Sequence, residues 1–173
     1  TSGELKSYKS NPYGKELINI LYKTNDFFGF ETVLENRNYK ESTVILHDSE
    51  IISIPRQDFL SLIYSQKDVS ASFISLLCKK VAEKEAQLLN LAYNSVRQRT
   101  AEALLKVNKL KEGKEKIQIS RDDLAKMVGT ASESVIRVLS DFKDEGLIDI
   151  ESGKITVRDA KRLEKVVRWN VAI

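Results

Sequence analysis

Two residues in the C-terminal half could act on the edges of nucleic-acid bases: Glu133 and Arg137. A guanidinium can donate two parallel hydrogen bonds to guanine, and a carboxylate can accept one from the cytosine amino group. Four residues apart on a helix, the pair shares one face. Ser132, Ser134 and Ser140 around them are small and polar, which suits close approach to a groove. Thr130 and Lys126 stand just upstream, where a hydroxyl and an ammonium suit phosphate. A plainer reading also fits: a solvated helix with an intrahelical Glu–Arg pair.

What must position these side chains is residues 119–146, ISRDDLAKMVGTASESVIRVLSDFKDEG. The pattern predicts two short helices joined by a tight turn. Ser120 is an N-cap, with Asp123 three residues later as in a capping box. Leu124, Met127 and Val128 share a face. Gly129 ends the first helix, because glycine reaches positive φ without steric cost. Ser132 is read as the cap of the second helix, Val135, Val138, Leu139 and Phe142 as its buried stripe, and Gly146 as its end. Residues 147–150 and 154–157 read as strands, with Glu151-Ser152-Gly153 as a hairpin turn. A recognition-type helix followed at once by a hairpin is a winged helix, in which the second helix lies in the major groove.

Charge is placed to match. The net charge is only +3, but residues 94–173 hold 17 Lys+Arg against 13 Asp+Glu, and residues 1–93 hold 11 against 12. The cationic excess sits where phosphate contacts need it. The single cysteine, Cys78, excludes an internal disulfide and suits a reducing cytoplasm. No apolar run spans a bilayer and no signal peptide is visible, so no membrane role is expected. His47 is the only histidine, and it has no partners for a metal site. No nucleophile–base pair and no Gly-rich phosphate loop appear, so neither catalytic nor metal-binding residues are assigned.

The N-terminal part reads as strands and turns. Residues 1–8 and 16–22 are strands around an Asn11-Pro12-Tyr13-Gly14 turn. Residues 42–46 and 50–54 are read as pairing around His47-Asp48-Ser49, and residues 56–64 as a short helix. Residues 68–90 form a long helix. Ile74, Leu77, Val81, Leu88 and Leu91 make a heptad-like seam, with Lys84 or Glu85 interrupting it. Phe73, Leu76 and Leu89 lie off the seam, suited to packing on the chain's own N-terminal domain. Two apolar faces need two partners, so a second copy is expected; a helix buried within one large domain is the alternative. Residues 91–95 read as a hinge, 96–110 as a helix, 111–116 as a charged loop, 117–119 as a short strand and 159–169 as a final helix anchored by Trp169.

The segment ISRDDLAKMVGTASESVIRVLSDFKDEGLIDIESGKITV resembles the DNA-binding domain of the CRP/FNR family of bacterial transcription regulators. GELKSYK, GKELINILYKTNDFFGFE and STVILHDSEIISIPRQDFLSLI are similar, in order, to that family's cyclic-nucleotide-binding-type β-roll. The resemblance implies an α+β protein: a partial antiparallel β-roll sensor over 1–66, a long dimerisation helix and hinge over 67–93, and a winged helix-turn-helix over 94–173. Further strands are then expected before Thr1. It implies a cytoplasmic homodimer, not an enzyme, that binds double-stranded DNA sequence-specifically, with RNA polymerase and a small-molecule effector as further partners. The alternative is a cyclic-nucleotide-binding regulatory protein that does not act on transcription. The family's acidic residue and arginine fall on Glu133 and Arg137. The preceding position, often Arg in CRP-like members, is Ser132. Cyclic-AMP-binding relatives carry Gly-Glu, then Arg-Ser about ten residues later. Here those positions are Gly29-Phe30 and Lys40-Glu41, with Glu31 and Ser42 one position late. Phe30 cannot bond a ribose hydroxyl and Glu41 repels a phosphate, so the residues argue against a cyclic nucleotide and leave the effector unnamed. Lys84 and Glu85 stand where that subgroup places hydroxyl residues over the base.

Overall fold

A computed structural model describes residues 3–110 and 116–168, with the side chain of Arg168 left aside. The chain divides into two compact units, Thr1–Leu88 and Leu89–Ile173.

The first unit starts with a hairpin, β1 (Leu5–Ser10) and β2 (Glu16–Tyr22). The turn is set by Asn11, whose Oδ1 accepts from the Tyr13 and Lys15 N–H groups at 3.0 and 2.9 Å, while Gly14 takes φ 75°. A bulge at Ser7/Tyr8 shifts the register from Ser7↔Ile20 to Tyr8↔Ile18. β3 (Ser42–Ile45) pairs with β1, Leu5↔Ile45 through Tyr8↔Ser42, giving the order β2-β1-β3. This overturns the expected hairpin between 42–46 and 50–54. Residues 51–55 form no strand, and Ile52 is 70 % exposed. β3 makes its ladder with a distant strand, which alternation along the local sequence does not reveal.

Residues 30–35, within the part read as strands and turns, form a short helix, α1 (Phe30–Glu35), after Gly29 at φ 79°. α2 (Arg56–Ser65) follows Pro55, and α3 (Lys67–Tyr93) is the long helix. Phe30, Phe59 and Ile63 form the cluster at the centre, and Phe73, Leu76 and Leu77 of α3 pack against it. The rings lock in alternating geometry: Phe27 stacks on Phe30 at 5.3 Å, and Phe73 meets Phe30 edge-on at 5.0 Å and Phe59 at 5.7 Å. Phe73 and Leu76 thus pack as expected. Leu77 joins this cluster too, so it is not part of an outward seam. Leu89 is 58 % exposed and packs as no anchor.

In the second unit the expected hinge shrinks to Asn94 and Ser95, because α3 stays helical to Tyr93. The break has a local cause. The Ser95 N–H donates to Gln98 Oε1 at 2.9 Å, and the Gln98 N–H donates to Ser95 Oγ at 3.2 Å. This reciprocal box starts α4 (Val96–Leu110). α5 (Arg121–Val128), α6 (Ser132–Asp144), the hairpin β4 (Ile148–Glu151) and β5 (Lys154–Val157), and α7 (Ala160–Arg168) complete the unit. Their core is sealed from solvent: Leu104, Leu124, Phe142, Ile155 and Leu163 are all 0 % exposed. Ala125 takes an inner place beside Leu124 and Val128, whereas Met127 and Val138 are only half-buried. The expected strand at 117–119 reduces to one bridge, Ile117↔Ile155, closed by two hydrogen bonds of 2.7 and 2.9 Å. Trp169 and residues 111–115 of the charged loop lie outside the described residues.

Candidate nucleic-acid interface

The helix-turn-helix is set by short-range bonds. Ser120 Oγ accepts from the Asp123 N–H at 2.9 Å, so α5 is capped as its sequence indicates. Gly129 closes α5 at φ 71°, ψ 46°, and the N–H groups of Gly129 and Thr130 both donate to the Ala125 carbonyl, at 2.8 and 3.1 Å. Ala131, not Ser132, is the N-cap of α6, and no side chain caps it. The turn uses Gly129, Thr130 and Ala131 in full, which moves Ser132 into the helix as its first residue. At the far end the Leu147 N–H donates to Phe142 O and the Gly146 N–H to Lys143 O, both at 2.9 Å, with Gly146 at φ 70°. This double bond pattern stops α6 at the expected glycine.

α6 buries Val135, Leu139 and Phe142 and turns Glu133, Ile136, Arg137 and Ser140 to solvent. These four share one face by their spacing of three, four and seven. Among the described residues no ion pair or side-chain hydrogen bond engages Glu133 or Arg137, and the two do not pair with each other. The plain intrahelical pair is therefore absent, and both groups are available to an outside partner. Ser132, Ser134, Thr130 and Lys126 are half-buried. Lys126 is held by Asp122 at 2.7 Å. Ile136 was not singled out from the sequence. The same helical count that groups Glu133 with Arg137 would have placed it between them.

The α6 rod is braced from behind. Arg97 of α4 donates to both Glu145 carboxylate oxygens at 2.7 Å, and its guanidinium lies 4.6 Å over the Phe142 ring. Beside it the hairpin turns through Ser152 (φ 49°) and Gly153 (φ 80°), both left-handed, as a two-residue turn matching strand twist requires. Arg158 pairs with Asp149 across the wing base at 2.8 Å. That hydrogen bond, then the one from the Ile150 N–H, holds the Asp149 carboxyl below its ordinary value.

Two further groups of residues lie in the first unit. Along α3, Ile74, Val81 and Leu88 are spaced seven apart and are 59, 59 and 68 % exposed. Cys78 and Glu85, both exposed, fall between them at the alternate spacing of four and three. The outward stripe is therefore Ile74, Cys78, Val81, Glu85 and Leu88, rotated from the expected one: Leu77 faces the aromatic cluster and Leu91 is half-buried. In the other group, Phe30 is 1 % exposed and its ring lies 4.7 Å beneath Lys80 Nζ. Glu31 pairs with Lys80 at 3.6 Å. Glu41 accepts from Asn19 Nδ2 at 3.4 Å, and Lys84 Nζ donates to Asn19 Oδ1 and, at 3.1 Å, to Gln87 Oε1. Lys40 and Ser42 are exposed, and a Cβ built on Gly29 would touch the Tyr39 ring at 3.5 Å.

A braced helix-turn-helix with an unpaired polar face and an adjoining hairpin defines a winged-helix DNA-binding protein. Residues 98–166 match the family model of the Crp-like helix-turn-helix domain, and residues 1–66 match that of the cyclic nucleotide-binding domain. The chain is 31 % identical over 166 residues to the cyclic AMP receptor protein of Thermus thermophilus, covering 95 % of this chain and 76 % of that one. It is 29 % identical over 150 residues to the cAMP-activated global transcriptional regulator CRP of Pasteurella multocida, covering 83 % and 72 %. The fold of FixK2 from Bradyrhizobium japonicum superposes with a TM-score of 0.83 at 21 % identity, covering 95 % of this chain and 83 % of that one. The chain belongs to the CRP/FNR family of transcription regulators. It is a DNA-binding transcription regulator, in a family of regulators and not an enzyme class. No helix among the described residues is long and apolar enough to cross a membrane.

The first domain's family implies a cyclic nucleotide, and the residues present do not fit one. At the Gly-Glu position the side chain is Phe30, sealed in the core, with no group to bond a ribose hydroxyl. At the Arg-Ser position Glu41 presents a carboxylate, and its neighbour Asn19 is already bonded to Lys84. An anion here would meet a like charge in partly desolvated surroundings, where repulsion is weakly screened.

Proposed function

We propose that the protein acts as a homodimer that reads a two-fold related DNA site, with α6 of each copy in the major groove. Half-sites would then lie about one helical turn, roughly 34–36 Å, apart. Glu133 and Arg137 contact bases, Ser132 and Ser134 make close polar contacts, and Thr130 and Lys126 hold phosphate, Lys126 by exchanging its Asp122 partner. The observation that carries this reading is the unpaired Glu133–Arg137 face, opposite a fully buried stripe. Functionally the chain is organised as a sensor over 1–66, a pairing helix and hinge over 67–93, and a DNA reader over 94–173. The copies pair along Ile74, Val81 and Leu88, with the smaller or polar Cys78 and Glu85 in the alternate positions. The sensor receives an effector other than a cyclic nucleotide, which acts by differential affinity for two hinge arrangements. RNA polymerase is the further partner, and the cytoplasm the setting.

The test is binding to fragments of the source genome, followed by Arg137→Ala on the selected duplex. The expected loss is about 1–3 kcal/mol, with relaxed choice at one base position. Equal loss on random duplex would reduce Arg137 to a phosphate contact and overturn its role as a reader. For the pairing, mild oxidation should join two copies through Cys78, and Cys78→Ser should abolish the covalent dimer. A monomer by sedimentation, with no cross-link, would refute it.

A further inference from the structure

We propose that Ile136 is a specificity-determining residue that reads the C5-methyl group of a thymine. The inference rests on the reading that α6 enters the major groove. Ile136 is 52 % exposed, and from residue 94 to residue 168 no other large apolar side chain among the described residues is exposed to that degree. Its neighbours in the core stripe, Val135 and Leu139, are 0 and 1 % exposed, so α6 had room inside for the apolar residues it needs. Ile136 lies outside that stripe, three residues after Glu133, adjacent to Arg137 and four before Ser140.

Helix stability does not account for it. A β-branched side chain is stiff at χ1 and ranks below Lys, Glu, Gln and Arg as a helix former, so at a wet position it adds nothing to the rod. Leaving it in water also forgoes the gain from burying apolar surface. Its place among Glu133, Arg137 and Ser140 says what would cover it. The base edges in the major groove carry donors and acceptors at every pair but only one apolar group, the thymine methyl. A branched aliphatic side chain, flanked by one hydrogen-bond acceptor and one bidentate donor, matches a step in which a thymine adjoins the pairs read by Glu133 and Arg137. The surrounding charges argue against a protein partner at this spot, which would need a broader apolar patch.

The experiment uses the full chain and a duplex selected by the protein itself. Each thymine is replaced in turn by deoxyuridine, which removes the methyl and keeps the pairing. At one position per half-site the wild type should lose about fourfold in affinity, the weight of one buried methyl-sized group. Ile136→Ser should bind the thymine and uracil duplexes equally at that position. Ile136→Val should keep part of the discrimination. Arg137→Ala should keep all of it while losing affinity overall. The exposed position makes misfolding of these variants readable by thermal melting, which should not change. If no thymine position separates wild type from Ile136→Ser, the proposal is wrong, although DNA binding itself would stand. Absence of binding to any duplex would instead bring down the underlying reading as well.

Discussion

The two units of the chain treat their apolar residues in opposite ways. In the second, Leu104, Ile117, Leu124, Leu139, Phe142, Leu147, Ile155 and Leu163 are all 0–1 % exposed, and among the described residues of the first only Phe30 of the apolar side chains falls that low. The first unit leaves Val44, Ile45 and Leu46 at β3 and Ile51, Ile52 and Ile54 beyond it open to water, together with the α3 stripe. Among its described residues the second leaves Leu89, Tyr93 and Ile136. An apolar side chain in water is a statement about partners only when its neighbours explain it. In the DNA-binding unit the single outlier on α6 is flanked by Glu133 and Arg137, which is what the proposed reading face requires. In the first unit Val44 and Ile45 lie on the edge strand β3, and Ile74, Val81 and Leu88 form a helix stripe, both surfaces that gain by association with another polypeptide.

The strongest way to break this contrast is to remove a core side chain from one unit and a wet one from the other. Phe142→Ala should cost about 3–5 kcal/mol, because it leaves a cavity beneath α6 and removes the ring on which Arg97 rests. Ile52→Ala should change stability by no more than about 0.5 kcal/mol, as exposed positions do. Urea unfolding measures both. A mild Phe142→Ala or a costly Ile52→Ala would show that burial in the separate chain misstates where each unit's stability lies.

A smaller effect sharpens the same point within the second unit. Ser120→Ala should cost about 1 kcal/mol, since Ser120 Oγ satisfies the Asp123 N–H that α5 otherwise leaves open. Ser132→Ala should cost within about 0.5 kcal/mol, since no side chain caps α6. Thermal or urea unfolding of the pair distinguishes a serine that builds the turn from one offered to DNA. Equal costs would return Ser132 to the cap that its residue type alone suggests.

These contrasts also explain what could be read from the chain before any coordinates. β2 and α4 fall on the residues that alternation and helical spacing indicate, 16–22 and 96–110. The cap at Ser120 and the stops at Gly129 and Gly146 were legible because each is decided by residues within one turn of it. Where partners are distant, legibility ends. β3 pairs with β1 across more than thirty residues of chain, a partner that the pattern within residues 42–54 does not reveal. Leu77 fits the heptad by spacing, yet the aromatic cluster claims it, and only the packing of Phe30, Phe59 and Phe73 decides that. The Glu133–Arg137 face was visible as a spacing. That the two side chains are unpaired, and that Ile136 stands exposed beside them, required the fold. The shortening of the hinge to Asn94 and Ser95 was legible in principle: Ser95 and Gln98 form a capping box that names its own start.

The finest probe of the difference between the units is alkaline pH. Tyr22, on β2 in the first unit, has its phenol pushed up to about 12. Burial is the main cause, and the carboxylates of Glu41, Glu31 and Asp26 add to it by opposing a second negative charge nearby. An unfolded chain would release this proton near the ordinary 10.0. Below that pH both states hold the proton and the stabilising contribution is fully present. As pH rises from 10.0 toward about 12 the unfolded state ionises first, so stability is lost across that window. Of the six tyrosines, only Tyr93 falls in the second unit, and it is 77 % exposed, so that unit carries no comparable alkaline load from a buried phenol. Ultraviolet titration should show a tyrosine ionising toward about 12, absent in Tyr22→Phe. Hydrogen exchange over the same range should loosen β1 and β2 before α5 and α6, and Tyr22→Phe should narrow that gap. Simultaneous loosening of both units, with or without the phenol, would mean that Tyr22 does not set the alkaline limit of the first unit and that the contrast in burial has no counterpart in proton linkage.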